Sequence, residues 1–350
     1  MKKNLLVVTA LVIILSLCFS STVFSAEPLK VGLVFDIGGK GDKSFNDSAS
    51  RGLAWAAADF GIKRIELEPG VDADREVNLR NLAMIGYDMV IGIGFAFADA
   101  ISTVSAEFPD TKFAIVDQAG LDRPNVMSLV FKEPHGSFLV GMIAAMKAQQ
   151  DGKDTVGFVG GMAIELIKGF EAGYIAGVHY VNPDCKVISS YVGDTFQAFI
   201  DPVKGKELAL SQYDNGAWVI FHAAGLSGTG VFTAAKEKKR YVIGVDSNQN
   251  YLGYIKETGE NFGLTSMLKQ VDVSVYLAIK AAVEGTFKGG NEVFGLDSSV
   301  TIGGVTYSGV GYALDEYNKD LVTPEMIAKV EEAKAKIVSG EIVVPTEVAE

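Results

Sequence analysis

VGLVFDIGGKGDKSFND, residues 31–47, runs from an apolar stretch into a glycine-rich loop and on into Ser44-Phe45-Asn46, a helix-opening sequence. Strand, glycine loop and helix in that order make a β-α unit, whose loop lies at the carboxyl end of the strand, where open α/β sheets bind ligands. The loop invites a phosphate-binding reading, and its spacing rejects it. A P-loop needs G-x-x-x-x-G-K-[ST], so that backbone N–H groups wrap the phosphate and the lysine reaches its outer oxygens. Here the fifth residue after Gly38 is Lys43 and the fifth after Gly39 is Ser44, so lysine and serine stand in the wrong frame. The dinucleotide pattern G-x-G-x-x-G also fails, because Ser44 stands where its last glycine belongs. Asp36, Asp42 and Asp47 crowd the same turn, and their charge opposes an anion more than one helix N-terminus attracts it.

Apolar runs like the one before this loop recur along the chain. They are LKVGLVF at 29–35, DMVIGIG at 88–94, KFAIVD at 112–117, TVGFVGG at 155–161, KVISSYVG at 186–193, AWVIFHAAG at 217–225 and RYVIGVD at 240–246. Helical patterns alternate with them over 48–60, 75–85, 98–107, 136–148, 169–181 and 271–284. Continuous apolar strands belong to parallel sheets covered on both faces. Their alternation with helices predicts an α/β protein of two doubly wound, Rossmann-like lobes. The first series ends near residues 127–137 and a fresh one starts at Thr155, while a late strand-turn-strand, SVTIGGVTYSGVGYAL, follows residues 287–297. The expected N-terminal lobe is 27–132 plus 266–297 and the C-terminal lobe 133–265 plus 298–350. Crossings near 132, 265 and 298 would form a multi-crossing hinge.

Residues 1–26 read as a secretory signal peptide: Lys2 and Lys3, an apolar run from Leu5 to Leu15, and Val23-Phe24-Ser25-Ala26 at its end. The run is shorter than the roughly 20 apolar residues of a membrane span. Cleavage is expected after Ser25 or Ala26, giving an exported, periplasmic protein. Lipid attachment at Cys18 is disfavoured because Leu17, not a small residue, precedes it. The exported chain carries 29 basic and 43 acidic residues, a charge near −14, so nucleic acid is not an expected partner. Cys185 is then the lone cysteine and no internal disulfide can form. No His/Cys spacing suits a metal and no cofactor is expected; nothing calls for more than a monomer.

Three strands end alike, at Asp36, Asp117 and Asp246. Carboxylates only accept hydrogen bonds, so three of them outside strand ends suit a neutral ligand rich in O–H and N–H donors, such as a sugar or nucleoside. Any one of them could instead cap the next helix or turn. Phe45 offers a flat apolar surface beside Asp36 that could stack on a base.

At this point DIGGKGDKSFND, FAIVDQ, HAAGLSGTGVF, VIGVDSNQ and LTSMLKQVD, in this order, resemble the basic membrane protein family of substrate-binding proteins. The resemblance spans about residues 29–340. It implies a type I periplasmic-binding fold that closes on a nucleoside, expected to be a purine one, and passes it unchanged to an ABC permease in the inner membrane. Carried over, the family pattern makes Phe45 one wall of a base clamp and Asn46 a polar contact beside it. Asp36 and Asp117 address the nucleoside from the first lobe. Asp246 binds ribose hydroxyls or a base edge from the second, and Lys269 reaches the ligand from the hinge. The chain departs from the family at HAAGLSGTG, where Leu226-Ser227 interrupts the glycine-rich turn after Gly225. Either Phe221 or His222 would supply the second wall, because strand alternation allows one of them in the cleft; His222 is the expected one.

Other classes stay open. An exported nucleoside-processing enzyme could use the aspartates as acid and base, although no nucleophile elbow accompanies them. The same fold could take a sugar, a free base or a flavin, or dock a sensor in place of a permease.

Overall fold

The computed structural model describes residues 27–348. The signal peptide expected over 1–26, with Cys18, lies outside the described residues.

The first sheet is built from β1 (Lys30–Val34), β2 (Lys63–Leu67), β3 (Met89–Gly92), β4 (Lys112–Val116) and β5 (Val126–Phe131), joined late in the chain by β11 (Gly290–Phe294). Its order is β11-β5-β4-β3-β1-β2, and every pair is parallel. The second sheet holds β6 (Thr155–Met162), β7 (Lys186–Gly193), β8 (Val219–Ala223), β9 (Tyr241–Asp246), β10 (Gly263–Lys269) and β14 (Val310–Tyr312). Its order is β14-β10-β9-β8-β6-β7, with only β14 antiparallel. The two orders match strand for strand, so each lobe reverses direction at its first strand. That switch point is where α/β sheets open a crevice for ligand. The central strands β1, β3, β4, β8 and β9 are buried almost throughout, as covered parallel strands must be.

Helices α1 (Phe45–Phe60), α2 (Asp74–Met84), α3 (Ala98–Glu107) and α8 (Val271–Val283) cover the first sheet. Around the second lie α4 (Glu133–Gln150), α5 (Glu165–Val181), α6 (Pro202–Asp214), α7 (Gly228–Lys238) and α9 (Pro324–Ser339). Helices α6 and α9 start on capping side chains: Asp201 accepts from Lys204 N–H at 2.9 Å and Thr323 from Met326 N–H at 3.3 Å, each just before a proline. Helices α4 and α5 pack unusually close. A Cβ on Gly173 or Gly177 would stand 2.2 Å from the Pro134 carbonyl or 2.0 Å from that of Phe138, so only glycine permits this approach.

Among the described residues three segments connect the lobes. The first passes at Lys132, between β5 and α4. The second falls at Gln270 and not near 265, because β10 keeps pairing with β9 as far as Leu268 opposite Asp246, and with β14 at Lys269 opposite Val310. Residues 266–269 thus belong to the second sheet. The third runs between β11 and β14 and carries a small hairpin, β12 (Val300–Ile302) and β13 (Val305–Tyr307).

Candidate functional site

The loop of residues 36–47 ties many of its N–H groups to its own carboxylates. Asp42, buried, accepts from the N–H groups of Ser44, Asn46 and Asp47 at 2.9, 2.8 and 3.1 Å, and so caps α1. Asp47 accepts from Gly41 and Lys43 at 2.7 and 3.1 Å. Two of the three loop carboxylates therefore hold the turn, and between them they occupy five of the N–H groups that a phosphate loop would leave free. Asn46 Oδ1 accepts from the Asp36 N–H at 3.0 Å, which fixes Asp36 at the rim.

Asp36, Asp42, Phe45, Asn46 and Asp117 of the first lobe face Ala223, Gly225, Leu226 and Asp246 of the second across one cleft, with Lys269 at its base. The space amounts to about 660 Å³ with its open mouth included. Asp117 and Asp246 leave their strands in the left-handed backbone region, at φ 66° and 62°. That conformation is rare for a residue with a side chain, and aspartate is among those that tolerate it. Gly225 also has positive φ, 54°, and a Cβ there would come 3.1 Å from the Phe199 carbonyl.

Lys269 organises the charges. Its side chain is 2% exposed, and its Nζ lies 2.5 Å from Asp117 Oδ2 and 3.5 Å from Glu133 Oε1. It also lies 5.0, 5.2 and 5.6 Å from the ring centroids of Phe45, Phe131 and Phe170. Burial pushes its pKa down, but Asp117, Glu133 and Asp246 outweigh that and hold it above the usual lysine value. Burial raises Asp117 against the pull of Lys269, and lifts Asp36 and Asp246 to about 6 and Glu133 to about 7. The other oxygen of Asp117, Oδ1, is buried without a hydrogen-bond partner. Such an acceptor is costly unless a donor meets it.

The lobes touch beside this cluster. Ser44 Oγ donates to Asp246 Oδ2 at 2.5 Å, Ser247 Oγ to the Ser44 carbonyl at 3.0 Å, and Gln249 Nε2 to the Lys43 carbonyl at 3.1 Å.

Phe221 and His222 do not line the cleft; both are fully buried. They sit before the last residue of β8, so alternation sends them into the two helix-covered faces and not out of the strand end. Phe221 packs on Phe158, Phe170 and Tyr174. His222 lies 5.7 Å from Phe232, and burial holds its pKa near 3, leaving it neutral. The second-lobe aromatics at the cleft are Phe170 of α5 and Phe199 of the short turn 196–199. Neither carries a sequence signal. Phe199 follows no periodic pattern, and Phe170 falls inside an ordinary helical one.

Two doubly wound lobes with carboxylates and aromatics facing across a hinged cleft define a solute-binding protein. The model of the Bmp family, described as ABC transporter substrate-binding protein PnrA-like, matches residues 29–347. A CD4+ T-cell-stimulating antigen of Listeria monocytogenes serovar 1/2a is 39% identical, over 92% of this chain and 89% of the relative. The ABC transporter nucleoside-binding protein BmpA of Lactococcus lactis subsp. cremoris is 34% identical, over 99% and 100%. A solved solute-binding protein of an ABC transporter system from Aeropyrum pernix K1 superposes with a TM-score of 0.77 at 32% identity, covering 91% of this chain and 94% of that one. The chain belongs to the Bmp family of PnrA-like ABC transporter substrate-binding proteins, and its fold is the type I periplasmic-binding one. Proteins of this class work outside the cell membrane, where they capture a small ligand and deliver it to a permease.

Proposed function

We propose that this chain captures nucleosides, purine ones in particular, in the periplasm and hands them unchanged to an inner-membrane ABC permease, acting as a monomer and not as an enzyme. The observation that carries the reading is the pairing of flat apolar walls, Phe45 and Phe199, with acceptor-only groups on both lobes, Asp36 and Asp117 against Asp246. A nucleoside has the matching parts: a planar base to stack and ribose hydroxyls and base N–H groups to donate. The unpartnered Asp117 Oδ1 is where one such donor would go. Among the described residues that line the cleft, Lys269 would supply the one cationic donor for a base or hydroxyl acceptor. Contacts to both lobes favour the closed state by their differential affinity. The surplus of carboxylates would reject a nucleotide, whose phosphate brings like charge into a poorly hydrated site. The name of the lactococcal relative supports the same ligand class.

The reading is tested by refolding the protein free of carried ligand and offering it adenosine, guanosine, inosine, cytidine, uridine, adenine, ribose, riboflavin and AMP together. Retained compounds are then identified by mass. Recovery of intact purine nucleosides supports it; retention of ribose or riboflavin alone, or release of free base from a nucleoside, overturns it.

A further inference from the structure

Arg75 of α2 does not line the cleft, yet its side chain is only 7% exposed. Its Cζ lies 4.9 Å from the centroid of Phe196 and 5.7 Å from that of Phe97. Phe97 belongs to its own lobe. Phe196 belongs to the other, on the short turn 196–199 that also places Phe199 in the cleft. Nη2 reaches Asp36 Oδ1 at 3.4 Å and Nη1 reaches Asp72 Oδ1 at 3.2 Å. Phe95, a cleft residue of the first lobe, lies 5.5 Å from Phe196 and extends the same contact.

We propose that Arg75 is a positioning residue for ligand capture, a clasp that joins the Asp36 half-site to the ring of Phe196 only when the lobes are together. When the lobes separate, Phe196 leaves and one face of the guanidinium returns to water. On closure that face meets a ring in a desolvated setting, where a cation–π contact is strongest. The clasp therefore acts on the closed state alone and shifts the population toward it. Its strength is limited by its own construction, because Nε of Arg75 is buried without a hydrogen-bond partner. That group regains water on opening, so the cleft can release what it holds. A lysine would keep the charge but lose the planar face that lies against the ring. Because Phe196 and Phe199 share one turn, closing the clasp also fixes the cleft wall.

The clasp rests on the reading of the cleft as a site that closes on a nucleoside, and its test separates the two. The wild-type protein, Arg75→Lys, Phe196→Leu and the double variant are titrated with inosine calorimetrically, and their dimensions are measured by small-angle X-ray scattering with and without ligand. We expect each single variant to bind about tenfold more weakly. The double variant should lose no more than the weaker single one, and each should remain more expanded than wild type at matched saturation. Additive losses, or wild-type affinity in both single variants, would overturn the clasp. If the wild type binds no nucleoside, the proposed function fails by itself, and the same titrations and scattering are run with the compound that the mixture test shows to be retained. Weaker binding and greater expansion of Arg75→Lys and Phe196→Leu with that compound support the clasp, and wild-type affinity in both overturns it.

Discussion

Asp117 and Asp246 occupy the same place in the two lobes: each ends the strand third from the matching sheet edge, and each turns out of it with positive φ, 66° and 62°. The same unusual turn, made twice, presents two carboxylates to one cleft from opposite sides. Strain of this kind is held where a site needs a particular direction of approach.

Two aspartate variants isolate that strain. Asp117→Gly should abolish nucleoside binding and, by taking away the partner of Lys269, cost stability, but its backbone is unstrained, since glycine adopts positive φ freely. Asp117→Ala should lose binding too and be less stable than Asp117→Gly by about 1 kcal/mol. Urea unfolding of the two variants checks the difference.

Lys269 is the ammonium shared by Asp117 and Glu133. Lys269→Met strands buried carboxylates, and removing one partner of a buried pair costs about 3–5 kcal/mol. The loss should be largest at pH 7.5 and shrink at pH 5, where the stranded groups take up protons. Denaturation at the two pH values measures it; a loss independent of pH would contradict the assignment.

The raised carboxylates give the ligand-free protein an inverted pH dependence. Asp36 and Asp246 titrate near 6 and Glu133 near 7 when folded, against roughly 4 in an unfolded chain. Between those values the native state holds more protons, so stability falls as pH rises. The contribution is fully present below about pH 4 and lost through pH 6–7. Urea midpoints should therefore be lower at pH 7.5 than at pH 5. Hydroxyls donating to Asp246 favour its ionised form, so nucleoside affinity should run the other way and rise over the same interval.

Phe199→Ala should weaken purine-nucleoside binding by about tenfold to a hundredfold, the size of one base-aromatic stack. Phe221→Leu should lower the melting temperature and leave the affinity unchanged, because that ring is core. Fluorescence melts alongside titrations distinguish the two.

Gly177→Ala tests the helix contact far from the cleft. With 2.0 Å between an added Cβ and the Phe138 carbonyl, α4 and α5 must part, at a cost of about 1–3 kcal/mol. Ligand affinity should not move.

The two-lobed plan was legible because the central strands are buried on both faces and show it as unbroken apolar runs. The edge strands of the first sheet carry no such mark: β2 reads KRIEL and β11 GNEVF, half polar because one side meets water. Strand β10, GLTSMLK, reads as a crossing because its Thr265 and Ser266 are polar, yet both are buried and bonded to the Ala313 carbonyl and Asn250. Helices α6 and α9 are announced by Asp201-Pro202 and Thr323-Pro324, a cap residue followed by proline. In the cleft, the strand-ending aspartates could be placed because topology alone puts strand ends together. Phe221 and His222 were misplaced because alternation fixes which face a side chain takes but not where the strand stops. Arg75 and Phe196 meet only through the approach of the two lobes, which no local pattern encodes.

The most direct test is calorimetric titration of the refolded, ligand-free protein with inosine and with its 5′-monophosphate. Saturable one-to-one binding of inosine, with none of the monophosphate, is the predicted result. A well-folded sample that binds the monophosphate as tightly as inosine, or neither while a free sugar saturates it, would contradict the account.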